Sequence, residues 1–208
     1  VGLDVHAEVT DMSQPLGSCV GNALEVREAA AVLRGEKRGR LLDLCVHLAV
    51  AGLERATREM DEPHVKDWAR RVQSNLGMAV MGRPDAKDAR EMVQTALTSG
   101  AALRKAKEWI EAQGGDARAL NPDSPCLPQA KTVWTEAHRG EAGWVERWDA
   151  RTVGEAVVEL GGGRRHKNDT IRLEVGIESC IEVGSRLEPG DPLFHVHAAS
   201  ESDAKRAA

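Results

Sequence analysis

Between Thr10 and Glu28 the chain reads Thr-Asp-Met-Ser-Gln-Pro-Leu-Gly-Ser-Cys-Val-Gly-Asn-Ala-Leu-Glu-Val-Arg-Glu, and this run restricts the backbone more tightly than any other. Pro15 fixes its own φ and drives Gln14 toward an extended conformation, while Gly17 and Gly21 permit turns or close approaches that a Cβ would forbid. Asn22, with Glu25 three residues on, reads as a variant capping box ahead of Leu24, Val26, Ala29, Ala30 and Leu33. The run therefore predicts a strand end, a sharp turn and a helix starting at or beside Asn22. Upstream, Asp4 to Val9 alternates weakly and predicts a strand whose C-terminal edge, Thr10 and Asp11, borders a ligand site as in open α/β sheets. Asp11 and Ser13 themselves read as side chains that satisfy turn amides.

Downstream, Asn22 to Arg34 predicts a helix stopped at Gly35, followed by a charged turn to Gly39. Leu41, Leu42, Leu44, Cys45, Leu48, Ala49 and Leu53 give a second helix, and His47 on it reads as a packed or half-exposed histidine, since no ligand partner stands at metal spacing. Val65, Trp68, Ala69 and Val72 suit a short helix, and Gly77 to Gly82 is ambiguous. Asp85 and Asp88 form a capping box for a helix through Met92, Val93, Ala96 and Leu97; after Gly100 another runs through Leu103 and Ile110 to Gly114 and Gly115. These helices read as the cover of a sheet. Residues 121–130, with Pro122, Pro125 and Pro128, predict a linker. Beyond it come strands at Lys131–Glu136, Gly143–Trp148, Ser179–Val183 and Pro192–His197, with a helix over Thr152–Leu160.

Three stretches in the same order resemble the nucleoside phosphorylases that act on thymidine and other pyrimidine nucleosides: the Asp11–Glu28 motif, Ala112-Gln113-Gly114-Gly115-Asp116, and Leu160-Gly161-Gly162-Gly163-Arg164-Arg165 through Asp169-Thr170-Ile171 to Val175-Gly176. The resemblance extends to His197-Ala198 and is to the second half of the family's chain. It implies an α/β fold: the C-terminal part of the phosphorylase α/β domain (sheet with helical cover) over 1–120, the 121–130 linker, and an α+β hammerhead-like C-terminal module over 131–208. It also implies phosphorolysis of thymidine to thymine and 2-deoxyribose 1-phosphate, with a pyrimidine-nucleoside phosphorylase that also accepts uridine, an AMP phosphorylase or a noncatalytic module as alternatives. The family's helical domain, phosphate loop and pyrimidine-holding Arg, Ser and Lys have no counterpart in these 208 residues. The chain is thus expected to be a fragment, inactive alone, with no catalytic residue of its own.

By the same resemblance a monovalent cation or calcium is held near the turn by the carbonyls of Leu16 and Cys19 and the carboxylate of Glu28; read from the residues alone, Glu28 is a solvated helix residue beside Arg27. No cofactor is otherwise implied. A substrate lid maps onto Gly162, Gly163, Arg164, Arg165, His166, Lys167, Asn168 and Asp169, which composition alone would make a helix C-cap running into a solvated basic turn. The triple-Gly, double-Arg form resembles the thymidine-selective bacterial branch. The implied partners are phosphate and a pyrimidine deoxynucleoside, and the intact protein is expected to be a homodimer.

The strand-turn-strand run Glu182–Leu193 is shared with biotinyl and lipoyl carrier domains, but the attachment lysine is missing. His195 and His197 alternate on one strand face without a third ligand at sensible spacing. Mixed charge with a net of -5 gives no polyanion-binding surface, so nucleic acid is not expected as a partner. No apolar run is long enough to span a bilayer, and Cys19, Cys45, Cys126 and Cys180 are widely spaced, which fits a reducing, cytoplasmic setting.

Overall fold

The computed structural model describes residues 2, 5–80 and 82–208. It mixes helix and sheet in two compact units, one made of 1–29 with 123–208 and the other of 30–122.

The first unit is built on a four-stranded antiparallel sheet in the order β1 (Cys19–Val20), β4 (Gly176–Ser179), β6 (Pro192–Ala198), β2 (Thr132–Ala137). Register places Val20, Ile177, Val196 and Trp134 in one row across the sheet. Because side chains alternate along each strand, that row faces one way and the next row, Cys19, Glu178, His195 and Thr135, faces the other. The apolar row meets α6 (Ala150–Glu159) and α7 (Glu201–Ala207): Val153, Val157, Leu160, Val175 and Ala204 complete its core. Val153, Val157 and Leu160 recur at helical spacing, which is why the sequence marks α6 clearly.

Asp149 caps α6 by accepting from Thr152 N at 2.9 Å and is also bonded by Arg147. The Thr152 N–H first and Arg147 second hold its carboxyl down at about 2. A depressed folded pKa contributes stability that is present above the unfolded value of 3.8 and is lost as pH falls toward 2. Between those two pH values α6 is therefore expected to weaken in the wild-type chain and to change less in Asp149→Asn, as followed by far-UV circular dichroism. Equal acid profiles would remove this role.

A second sheet of two strands, β3 (Gly143–Trp144) with β5 (Arg186–Leu187), encloses a small cluster of Val145, Ile181 and Leu187.

In the second unit, α2 (Arg40–Arg58), α3 (Glu62–Leu76), α4 (Ala86–Thr98) and α5 (Ala101–Ala112) pack on one another, with Val46, Val50 and Ala89 at the centre. Asp61 and Asp85 cap α3 and α4, the latter with the reciprocal Asp88 bond of a full capping box. Gly77 and Gly100 close those helices at φ near +70°. A 3₁₀ turn, Ala117–Leu120, follows α5, and Arg34 donates to the Leu120 carbonyl at 2.7 Å.

Several expectations are corrected. Asp4 lies outside the described residues, and 5–12 form no strand: Val9 is fully exposed and Val5 nearly so, and alternation without a partner strand makes no ladder. The edge position inferred for Asp11 therefore lapses, while the turn role holds, since Asp11 accepts from Ser13 N at 2.8 Å. The buried face of α2 is Val46, Val50 and Thr57, whereas Leu48, Cys45 and Ala49 are exposed along with His47. The strand expected at Ser179–Val183 lies upstream as β4, because the 180–185 segment turns through hydrogen bonds of its own. Within the first unit α6 and α7 pack on the sheet, and within the second Val46 and Val50 of α2 meet Ala89 of α4. No described helix is long and apolar enough to cross a membrane, and all four cysteines are free thiols.

Candidate functional site: the Gln14–Glu28 clasp

The helix α1 (Asn22–Leu33) begins where the sequence places it, but its cap differs. Glu25 reaches back to Gly21 N at 3.0 Å, so the cap falls one residue before Asn22, and the Asn22 side chain instead donates to the Gly162 carbonyl at 2.9 Å. Ala23, Leu24, Glu28, Ala30 and Val32 are buried, whereas Val26 and Ala29 point outward.

Glu28 is only 5% exposed, which rules out the solvated reading. Its carboxylate folds back under the turn and accepts from Ser18 N at 2.8 Å, Ser18 Oγ at 3.0 Å and Cys19 N at 3.1 Å. A Cβ on Gly17 would fall 2.2 Å from Glu28 Oε2, so the turn closes on the carboxylate only with glycine there. A buried carboxylate with donors on both oxygens is strongly held, and those donors would be left unsatisfied without it.

The turn is then tied to the rest of its unit. Ser18 O accepts from Ser179 N at 2.7 Å, Cys19–Val20 pair with Ile177–Glu178, and Ala23 N donates to Leu173 O at 3.0 Å. Gly21, at φ +140°, meets Gly176 backbone to backbone: a Cβ on Gly21 would lie 2.5 Å from Val175 O, and one on Gly176 would lie 2.3 Å from Val20 O. Gln14, 6% exposed, accepts from Val183 N at 2.9 Å through Oε1. Arg27 bonds the Leu127 and Pro128 carbonyls, both at 2.9 Å.

The glycine-basic loop divides into a fixed root and an exposed tip. Gly161 stands at φ +93°, Gly162 is buried with its N donating to Val157 O at 2.9 Å, and Cβ atoms on Gly162 or Gly163 would strike Val157 or Val158 at 2.7 Å. The triple glycine thus serves close packing at the C-terminal end of α6, in keeping with the helix cap and solvated basic turn that composition suggests. Arg164 to Asn168 are exposed. Asp169 folds the tip back by accepting from Arg165 N at 2.9 Å and His166 N at 2.8 Å, and Arg165 pairs with Glu159 at 3.3 Å. Asn22 connects this root to the clasp.

Hard cations require six or more oxygens. Glu28 and two carbonyls are chemically suited donors, but the carboxylate already takes three hydrogen bonds from the turn, and among the described residues no three His, Cys, Asp or Glu side chains gather to hold a metal. The set therefore fits a cation only as one face of a shell completed by other groups. His195 bonds Thr135 Oγ1 at 2.9 Å, and His197 lies 3.5 Å from Glu178.

Sequence reasoning located the turn and the loop but missed the burial of Gln14 and Glu28 and the bond from Asn22 to Gly162. The one available signal was the spacing of Glu28 four residues after Leu24, on the face that α1 buries.

Residues 144–208 match the pyrimidine nucleoside phosphorylase C-terminal domain. Thymidine phosphorylase of Burkholderia orbicola (strain MC0-3) is 36% identical over 208 residues, all of this chain and 42% of that protein. Pyrimidine-nucleoside phosphorylase of Geobacillus stearothermophilus is 35% identical over 201 residues, 97% of this chain and 40% of that protein. The enzyme of the same name from Bacillus subtilis (strain 168) is 34% identical over 202 residues, 97% and 41%. The chain thus spans about two fifths of the length of the curated relatives it matches, and its sequence is similar to the C-terminal part of thymidine and pyrimidine-nucleoside phosphorylases.

Proposed function

We propose that this chain is the C-terminal part of a thymidine phosphorylase, in which inorganic phosphate attacks C1′ of the deoxyribose and releases thymine and 2-deoxyribose 1-phosphate. The observation that carries the reading is the 36% identity to a protein named thymidine phosphorylase along the whole chain. Catalysis in such an enzyme rests on placing phosphate beside C1′ and stabilising charge as the base departs. The groups that do so lie outside these 208 residues, and the part played here is support: the clasp fixes the Asn22 amide, and Asn22 holds the root of the Arg164–Asn168 tip. Leu16, Cys19 and Glu28 would contribute a carboxylate and two carbonyls to a monovalent cation or calcium, which would supply fixed positive charge. Residues 131–208 are the hammerhead-like module, and the intact enzyme is a cytoplasmic homodimer. A broader pyrimidine-nucleoside phosphorylase is the second reading, favoured by the 35% identity to the Geobacillus protein.

The intact protein that contains this chain is expected to phosphorolyse thymidine faster than uridine, and the purified 208-residue chain to give no rate above the blank. Comparable rates with both nucleosides select the second reading, and turnover by the short chain refutes the placement of the reacting groups outside it. In the intact enzyme, Arg164→Ala with Arg165→Ala is expected to raise KM or lower kcat by roughly tenfold if the tip closes over substrate. Unchanged kinetics would remove the lid.

A further inference from the structure

A cleft of about 630 Å³ opens within the second unit, bounded by the 34–38 turn, the first two turns of α2 and one face of α4. Its lining is divided in character. Val32, Leu42, Val46 and Leu97 supply an apolar part, the two valines buried and the two leucines half-buried. Arg34, Lys37, Arg38 and Arg90 supply a cationic part, against the single carboxylate of Asp43. In a chain whose net charge is -5, that local excess of positive charge runs against the average.

The cations are not all spoken for. Arg34 is bound to Glu36 and to the Leu120 carbonyl. Arg38 and Arg90 are exposed, and neither has a carboxylate or carbonyl partner among the described residues. The residues three and four positions from Arg90 along α4 are Ala86, Lys87, Val93 and Gln94, so the helix itself offers it no counter-ion. Elsewhere in this unit Arg71, Arg83, Lys105 and Arg118 each sit on an acidic side chain. Three properties then narrow the occupant. A guanidinium presents paired N–H donors that match the two oxygens of a carboxylate. The apolar part gains only from a hydrocarbon body, which a bare inorganic anion lacks. Asp43 repels a second negative charge, which selects against dicarboxylates and polyanions. The volume lies within the range of small-molecule pockets.

We propose that this cleft binds a hydrophobic monocarboxylate, its head on Arg38 and Arg90 and its hydrocarbon body along Leu42, Val46 and Leu97. The site is made of the second unit alone and does not depend on the phosphorolysis reading.

The test is calorimetric titration of the 208-residue chain with octanoate at low salt, beside 1-octanol, octanedioate and inorganic phosphate. A single saturable site for octanoate is expected, with Kd on the order of 0.1 to 1 mM, weakening as salt screens the exposed guanidinium groups. The other three compounds are expected to bind at least about tenfold more weakly. Arg38→Gln and Arg90→Gln remove exposed charges that hold no other described group, so both variants are expected to keep the wild-type circular dichroism. Each is expected to weaken octanoate by about three- to fivefold, and the double variant by about tenfold or more. Absence of saturable heat at roughly ten times the expected Kd overturns the proposal. So does equal affinity for octanol, octanedioate or phosphate, or unchanged octanoate affinity in the folded double variant. Should the double variant fail to fold, the comparison of the four compounds on the wild-type chain decides.

Discussion

Gly176→Ala is expected to unfold the first unit or to lower its stability by about 3 kcal/mol or more, the upper reach of overpacking costs. The added Cβ would stand 2.3 Å from Val20 O, 2.7 Å from Leu24 Cδ1 and 3.1 Å from Gly21 Cα. Two of those atoms are backbone, so no rotamer change relieves the clash. The strand pairing of Val20 with Ile177 would have to open, and with it the apolar row that feeds the core. The control has the opposite sign. Gly52 lies inside α2 with nothing within 4 Å of a new Cβ, so Gly52→Ala is expected to stabilise the second unit by about 0.5 to 1 kcal/mol. Urea unfolding of both variants beside the wild type measures the pair. A Gly176→Ala midpoint equal to that of the wild type would show that the Gly21–Gly176 approach does not exist.

Glu28→Ala carries the second large effect. It strips an acceptor from Ser18 N, Ser18 Oγ and Cys19 N at once, in a part-buried turn that leaves little room for water to replace it. Each unsatisfied buried donor costs about 1 to 3 kcal/mol, so a loss of about 3 kcal/mol or more is expected, with loss of exchange protection at the Ser18 and Cys19 amides. Glu28→Gln retains one oxygen and should fall between alanine and wild type. If the alanine variant unfolds at the wild-type urea concentration and keeps both amides protected, the carboxylate is not what closes the turn.

What could be read from residues alone follows the range of the interactions involved. The Asn22 helix start, the Asp85–Asp88 capping box, the break at Gly100 and the α6 stripe are set within a few residues, and the sequence marks each, whereas the Gly77 stop is ambiguous in the sequence. Strands β1, β4 and β5 are two to four residues long and exist only because of distant partners, so no local period announces them. The reverse error at Val5 to Val9 has the same cause, a fitting pattern with no partner strand. Helix α7 went unread because it buries alanine, Ala204 with Ala207 beside it, and alanine carries little periodic signal. At the site, the motif marked where the turn is, but Glu28 and Gln14 are buried through contacts made 9 to 10 and 169 residues away, and only the fold brings those partners in.

The first unit joins 1–29 to 123–208, with 30–122 forming a compact body between them in sequence. A ribosome makes the opening motif early, yet the Ile177, Gly162 and Val183 that receive it emerge some 140 to 170 positions later. During that interval α2 to α5 have every residue of their own core available, while the nascent Gln14–Glu28 stretch waits with its buried polar groups still wet. Such long-range closure is slow relative to local helix packing. Synthesis rate, chaperone supply and any truncation before Val183 therefore act on the first unit far more than on the second.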